Sequence, residues 1–232
     1  MTYNNIHSGI FLRRSNRFVA EVEINGKVEL CHVKNTGRCA ELLLHGTNVC
    51  INKSGNLNRA TAYDLVVVYK GGRLVNIDST APNKAFLRHL QEKNFVPEAT
   101  LIKPEAKHGG SRFDFYVEAG ERKILIEVKG VTLENDGIAL FPDAPTQRGV
   151  RHVEHLARVV LDGYEAYVVF IIQMAQIQHF EPNYAMHKEF GAALEKAYNA
   201  GVKIHAFDCE VTPNAMKISS SVPVILGGHD EN

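Results

Sequence analysis

Carboxylates and lysines spaced two apart fall on one face of a β-strand, and residues 113–129 offer that arrangement twice over. Phe113-Asp114-Phe115-Tyr116-Val117-Glu118 and Lys123-Ile124-Leu125-Ile126-Glu127-Val128-Lys129 read as two strands. Between them, Ala119-Gly120-Glu121-Arg122 is a hairpin-length connection containing Gly. With Glu118 facing Lys123, Val117 faces Ile124, Phe115 faces Ile126 and Phe113 faces Val128, three apolar pairs sharing one face. A slip of one residue would set apolar groups against polar ones. The same register puts Asp114 opposite Glu127, where facing Cβ atoms lie about 4.5–5.5 Å apart and two carboxylates repel by of order 1 kcal/mol.

A divalent cation would turn that repulsion into attraction. Lys129, two residues beyond Glu127, points to the same face. Hard oxygen ligands with room for water suit Mg²⁺ or Mn²⁺. Such a metal polarises a phosphoryl group and lowers the pKa of a bound water, while Lys129 orients that water or stabilises developing charge. The chemistry implied is phosphodiester hydrolysis by Asp114, Glu127 and Lys129. Glu-x-Lys also occurs at Glu105-Ala106-Lys107 and Glu121-Arg122-Lys123, so the spacing alone selects nothing. The third instance is flanked by Ile124, Leu125, Ile126 and Val131, as a buried strand requires. The competing reading is a surface hairpin whose charges only solvate its outer face.

The elements that must hold this hairpin follow from periodicity. Residues 18–24 and 28–33 alternate around Asn25-Gly26, a strong hairpin signal. Residues 47–51, 62–69 and 73–77 read as further strands, and residues 40–44 as a short helix after Gly37. Five short strands and one helix predict a small closed barrel of OB type over residues 1–80. From Ser79-Thr80-Ala81-Pro82 the pattern changes to a helix start with Pro in the first turn, continuing through residues 83–93. Pro97 and Pro104 bracket a short predicted strand at residues 100–102. Residues 146–162 read as a helix stopped by Gly163, with Val150, Val153, Ala157 and Val160 on its core stripe. Residues 166–173 are a continuous apolar run, hence a strand buried on both faces. A helix over residues 184–199 and a strand over 202–207 complete an α/β unit spanning residues 81–232.

Composition sets the frame. The 232 residues are 45% hydrophobic and 22% charged, enough for a substantial core, and the formal net charge is zero. Nucleic-acid binding would therefore rest on local patches. Cys31, Cys39, Cys50 and Cys209 form no Cys-x-x-Cys pair, which argues against a zinc ribbon and for buried free thiols. The first residues lack the apolar stretch of a signal peptide, and the longest apolar run, 166–172, is too short for a membrane span. A cytoplasmic location is the expectation.

Several of these segments together resemble the sugar fermentation stimulation protein (SfsA) family. They are Ser111-Arg112-Phe113-Asp114-Phe115, Ile126-Glu127-Val128-Lys129 and Phe141-Pro142-Asp143-Ala144-Pro145-Thr146-Gln147-Arg148-Gly149. Asn35-Thr36-Gly37, with Arg17-Phe18 upstream, resembles the family's N-terminal part, so the likeness covers nearly the whole chain. It implies DNA binding and an OB-like β-barrel followed by a PD-(D/E)xK nuclease-like α/β domain. Asp114 then matches the first acid, although Phe113 stands where the motif name has Pro. Glu127 and Lys129 match the (D/E)xK pair, and Glu105 is similar to an accessory metal-binding acid. A helix flanks the site in such a fold, so Arg148 and His152, which share a stripe with His155, become candidate phosphate contacts. In the barrel, Arg13, Arg14 and Arg17 beside Phe18, with Asn35 and Arg38, are the basic and aromatic groups an OB groove uses on nucleic acid. The Asn-Thr-Gly segment reads equally well as a turn or a cap. Two alternatives stand beside a Mg²⁺-dependent deoxyribonuclease. One is a non-catalytic DNA-binding regulator of sugar (maltose) metabolism genes that keeps the nuclease-like fold; the other is an RNA-directed or different phosphodiesterase. No sugar-binding constellation is visible in the sequence.

Overall fold

A computed structural model of the protein describes residues 1–227 apart from Thr36, Leu57 and Lys93. The chain begins with six strands: β1 (Ile6–Asn16), β2 (Val19–Ile24), β3 (Lys27–Val33), β4 (Asn48–Lys53), β5 (Tyr63–Lys70) and β6 (Arg73–Asn76). β1 pairs with β2 and β4, β2 with β3, β4 with β5, and the parallel pair β3–β5 closes a five-stranded barrel from which β6 extends. This is the OB-like barrel the alternating pattern predicts. Ala20, Val22 and Ile24 point inward from β2. Asn25 and Gly26 take φ of 51° and 76°, as a tight primed hairpin turn requires.

Two expectations in this half need correction. β1 is a full strand ahead of the first one that periodicity predicts, so Arg13 and Arg14 lie within the barrel wall. Its alternation is masked by two register shifts and by Gly9, where a Cβ would come within 2.5 Å of Val22 Cγ1. Residues 40–44 form turns and no helix: Leu42 and Leu43 both donate to the Cys39 carbonyl, and Cys39 has φ of 46°.

The second half contains α1 (Ala81–Gln91), β7 (Leu101–His108), β8 (Ser111–Ala119), β9 (Arg122–Val131), β10 (Leu133–Asn135), β11 (Ile138–Phe141), α2 (Gln147–Leu161), β12 (Glu165–Ile172), β13 (His179–Pro182), α3 (Tyr184–Asn199), β14 (Lys203–Thr212) and β15 (Ala215–Val222). The predicted end of α1, Lys93, lies outside the described residues. A six-stranded sheet runs β15-β14-β12-β9-β8-β7, with β9, β12 and β14 parallel at its centre. A small sheet, β10-β11-β13, sits beside it. Pro104 lies inside β7 and does not end it, which an edge strand tolerates because one side of its backbone is unpaired.

α1 covers one face of the large sheet, packing Ala85, Phe86 and Leu90 on Phe115, Ile126 and Ile171. α2 and α3 cover the other, with Val153, Leu156, Val159 and Leu194 against Leu125, Val168 and Phe170. The α2 stripe is thus rotated slightly from the predicted one, leaving Val150, Ala157 and Val160 at its margins. Residues 166–172 of β12 are buried throughout, as their unbroken apolar run predicts. All four cysteines are buried and free. Among the described residues no helix is long and apolar enough to cross a membrane.

Candidate active site

The β8–β9 hairpin has the predicted register from its turn upward: Glu118 pairs with Lys123, Val117 with Ile124 and Phe115 with Ile126. The turn is tighter than expected, two residues with Gly120 at φ of 62°. Beyond Phe115 the ladder opens. Phe113 does not face Val128; its ring turns to α2, with its centroid 6.2 Å from that of His152 and 5.2 Å from that of His155. Asp114 does not pair with Glu127 through the backbone either. Its Oδ2 accepts the Val128 N–H at 2.7 Å, so the carboxylate occupies the place of the partner strand's carbonyl. Its Oδ1 accepts from Asn83 Nδ2 at 2.7 Å. Asn83, in the first turn of α1, has no sequence signal of its own: a polar residue near a helix start reads as ordinary capping chemistry.

Glu127 is buried, at 4% exposure, where a carboxylate needs partners. Its Oε1 accepts from Lys129 Nζ at 2.6 Å and lies 2.6 Å from His152 Nδ1. The other oxygen, Oε2, has no hydrogen-bond partner among the described residues and is not sealed from solvent. The predicted face-sharing of Glu127 and Lys129 is therefore present, and α2 adds His152 to the same oxygen. Arg148 Nε, one turn earlier, reaches His152 Nε2 at 3.4 Å. His155, on the same stripe, bonds Ser111 Oγ at 2.5 Å.

These surroundings drive the two acids apart. Burial, then the Glu127 charge, pushes Asp114 above the usual carboxylate range, and the bonds from Val128 and Asn83 only partly offset it. Burial also works to raise Glu127, but the His152 and Lys129 hydrogen bonds and the Lys129 charge outweigh it and hold Glu127 below its ordinary value. A cation between them would relieve the one remaining repulsion. Glu105 does not join the pair. It sits across the β7–β8 ladder from Asp114, but φ of 54° turns its side chain outward, where it lies 3.5 Å from Arg112 and is 72% exposed. Among the described residues no three His, Cys, Asp or Glu side chains gather around one point. Two carboxylates could hold a metal here, the number Mg²⁺ uses when waters and phosphate complete its shell.

The barrel residues divide by role. Arg14 is structural: its guanidinium donates to the carbonyls of Arg17, Asn35, Gly37 and Arg38. Asn35 forms a turn, accepting from Gly37 N at 2.7 Å and donating to the Ile77 carbonyl at 3.1 Å; Thr36 lies outside the described residues. Arg13 is tied across the strand to Glu21 at 2.7 Å. Arg17 lies over the exposed Phe18 ring at 5.9 Å. The exposed Arg38 reaches the second half through its backbone, its N–H donating to Asp143 Oδ2 at 3.1 Å on the loop leading into α2.

Comparison with known proteins follows the same division. The family described as "Sugar fermentation stimulation protein RE domain" matches residues 80–215, and that described as "SfsA N-terminal OB domain" matches residues 12–77. A sugar fermentation stimulation protein homolog of Desulfitobacterium hafniense (strain Y51) is 56% identical over 97% of this chain and 99% of the relative. A homolog from Clostridium beijerinckii is 53% identical over 97% of this chain and 100% of the relative. The solved structure of Pyrococcus furiosus SfsA in complex with Ca²⁺ superposes with a TM-score of 0.88 at 30% identity, covering 97% of this chain and 98% of that one.

Proposed function

The chain belongs to the sugar fermentation stimulation protein family, and on that footing we propose that it binds DNA and hydrolyses its phosphodiesters at Asp114, Glu127 and Lys129 with Mg²⁺ or Mn²⁺. The observation that carries this reading is the opened end of the β8–β9 ladder, where the half-buried Asp114 carboxylate feels the charge of the buried Glu127, which Lys129 holds. A carboxylate pair in that state is costly to a fold that gains nothing from it. The Ca²⁺ bound to the Pyrococcus relative supports the metal part, since Ca²⁺ seeks the same hard oxygen donors.

Asp114 and the open Oε2 of Glu127 would hold the metal. When bound there it polarises the phosphoryl oxygen and lowers the pKa of a water. The remaining work falls to the chain. Val128 N–H and Asn83 fix the Asp114 carboxylate. His152 and Lys129 hold Oε1 of Glu127, so that Oε2 is left to face outward. Lys129 Nζ has donors beyond the one given to Glu127; these orient the attacking water and stabilise charge on the phosphate. Arg148, which reaches His152, and Arg38, whose N–H is bonded to Asp143, contact the flanking phosphates.

The test is cleavage of single- and double-stranded DNA with Mg²⁺ or Mn²⁺, by the wild type beside Lys129→Ala and Asp114→Asn. Loss of at least about a hundredfold in rate is expected in each variant, with DNA binding retained. Binding without cleavage of any substrate would replace this reading with a non-catalytic DNA-binding regulator. Stronger competition by RNA than by DNA would redirect it to RNA.

A further inference from the structure

At Gly130, one residue beyond Lys129 on β9, a cavity of about 180 Å³ opens between the barrel and the sheet. Its walls come from the β3–β4 loop, the C-terminal ends of β9 and β12, and the β11–α2 loop; they include Gly37, Gly130, Leu140, Phe141, Asp143 and Gln173. The carboxyl ends of parallel strands are where open α/β sheets bind ligands. Two of the walls depend on glycine. A Cβ at Gly130 would stand 2.6 Å from Gln173 Oε1, and one at Gly37 would overlap the Asp143 carboxylate.

The donors of Asn35 and Ser79 in this lining are given to the Ile77 and Lys34 carbonyls, while Gln173 and Asp143 present acceptors. Gln173 is 1% exposed. Its Nε2 donates at 2.8 Å to the Asn76 carbonyl and at 3.2 Å to that of Asp78. Its Oε1, beside Gly130, has no partner among the described residues and is not sealed from solvent. Asp143 gives one oxygen to the Arg38 N–H, and the other has no partner among the described residues. Phe141 and Leu140 supply an apolar wall. A planar ligand with apolar faces and N–H donors along one edge satisfies all of these at once, and an amino-bearing nucleobase is such a ligand. Gly130 directly follows Lys129 along β9, so the cavity begins one residue along the strand from the proposed catalytic lysine.

We propose that this cavity receives one amino-bearing nucleobase of the substrate strand, turned out of its stack, whose exocyclic amine donates to Asp143 and Gln173 Oε1. The assignment rests on the nucleic-acid reading above and deepens it into a specificity site. Removing the amine would leave buried acceptors unpaired, which is how such sites discriminate.

The experiment places 2-aminopurine at successive positions of a DNA duplex bound by the full chain, with Ca²⁺ replacing Mg²⁺. Fluorescence reports unstacking and anisotropy reports binding in the same sample. A fluorescence rise confined to one position is expected. Purine in place of 2-aminopurine there should weaken binding about tenfold, the size of one hydrogen bond to a charged acceptor. Leu140→Trp, which fills the space, and Asp143→Asn, which keeps an acceptor for Arg38 and so preserves the loop, should each remove the rise. Binding with no rise at any position, or a rise surviving both variants, would overturn the cavity assignment and leave the proposed function standing. Absence of DNA binding would overturn both.

Discussion

At the scale of single side chains, the same burial acts on Asp114 and Glu127 with opposite net results, because their neighbours differ. Glu127 has Lys129 and His152 on one oxygen, so its pKa lies below the ordinary 4.5. Its contribution to stability is present above that value and is lost as pH falls through its folded pKa. Asp114 has only an amide N–H and Asn83 against burial and the Glu127 charge, so its pKa lies above 3.8. Its ionisation therefore costs stability as pH rises through 3.8 to the folded value, and the full cost persists at neutral pH. Asp114→Asn should then stabilise the metal-free protein at pH 7 by of order 1 kcal/mol, seen as a rise of about 2–4 °C in Tm. The new amide can accept from Val128 N–H and donate to a rotated Asn83 carboxamide. The gain should shrink as pH falls through the folded pKa of Asp114 and vanish below 3.8, and Mg²⁺ should raise the Tm of the wild type but not of the variant. A lower Tm for the variant at neutral pH would mean that the carboxylate is not under the strain described. His152 gives a second prediction. It touches Glu127 and not the proposed metal, so His152→Ala should raise the Mg²⁺ concentration for half-maximal cleavage about tenfold or more. A fall in rate that saturating Mg²⁺ does not repair would instead place His152 on the substrate.

At the scale of elements, α2 is the part that carries His152 and Arg148 to the hairpin, and its start is set by one residue. Thr146 Oγ accepts the Gly149 N–H at 3.1 Å as the N-cap. Thr146→Ala should cost about 1 kcal/mol by thermal melting and Thr146→Ser should restore most of it. Equal stability of all three proteins would show that the loop, not the cap, fixes the helix start. This helix, α3, β12 and the hairpin register were all legible in the sequence because their signals are local: a 3.6-residue stripe, an unbroken apolar run, a turn with matched pairs on either side. What was not legible depends on distant partners. β1 pairs with β4 across more than thirty residues and carries Gly9 and two bulges, so its alternation is broken where its neighbours demand it. β15, with three successive serines, is held by pairing to β14 and not by its own pattern. The site shows the same limit. Glu127 and Lys129 share a strand face and could be placed by counting, whereas the count set Asp114 opposite Glu127 and the opened ladder does not. Asn83 and the His152–Glu127 bond are products of how α1 and α2 dock on the sheet. The opening of the ladder at Asp114 is a side chain replacing a backbone partner, which no alternation pattern encodes.

At the scale of the molecule, the barrel and the sheet are pinned to each other by polar groups as well as by a shared apolar core. Gln173 at the end of β12 clamps the carbonyls of Asn76 and Asp78, and Glu134 of β10 lies 2.6 Å from Lys70 and 3.1 Å from Arg73. Arg38 is bonded through its N–H to Asp143, which lines the cavity, and Arg148 reaches His152 beside Glu127, so these two cations flank the cavity and the carboxylates by their bonding partners. The chain has no net charge to attract DNA as a whole, with 26 basic and 26 acidic residues. Attraction must come from these few cations, and that has a measurable signature. Each phosphate neutralised contributes about −0.9 to the slope of log K against log salt concentration, so a patch of this kind should give a shallow slope, in the range of a few units. Arg148→Ala and Arg38→Ala should each reduce its magnitude by about one and weaken binding alike for all sequences. Arg13→Ala should change neither, because that guanidinium is already committed to Glu21 on the barrel wall. A large slope that none of the three substitutions alters would place the DNA on another face, and the carboxylate pair would then have no strand within reach.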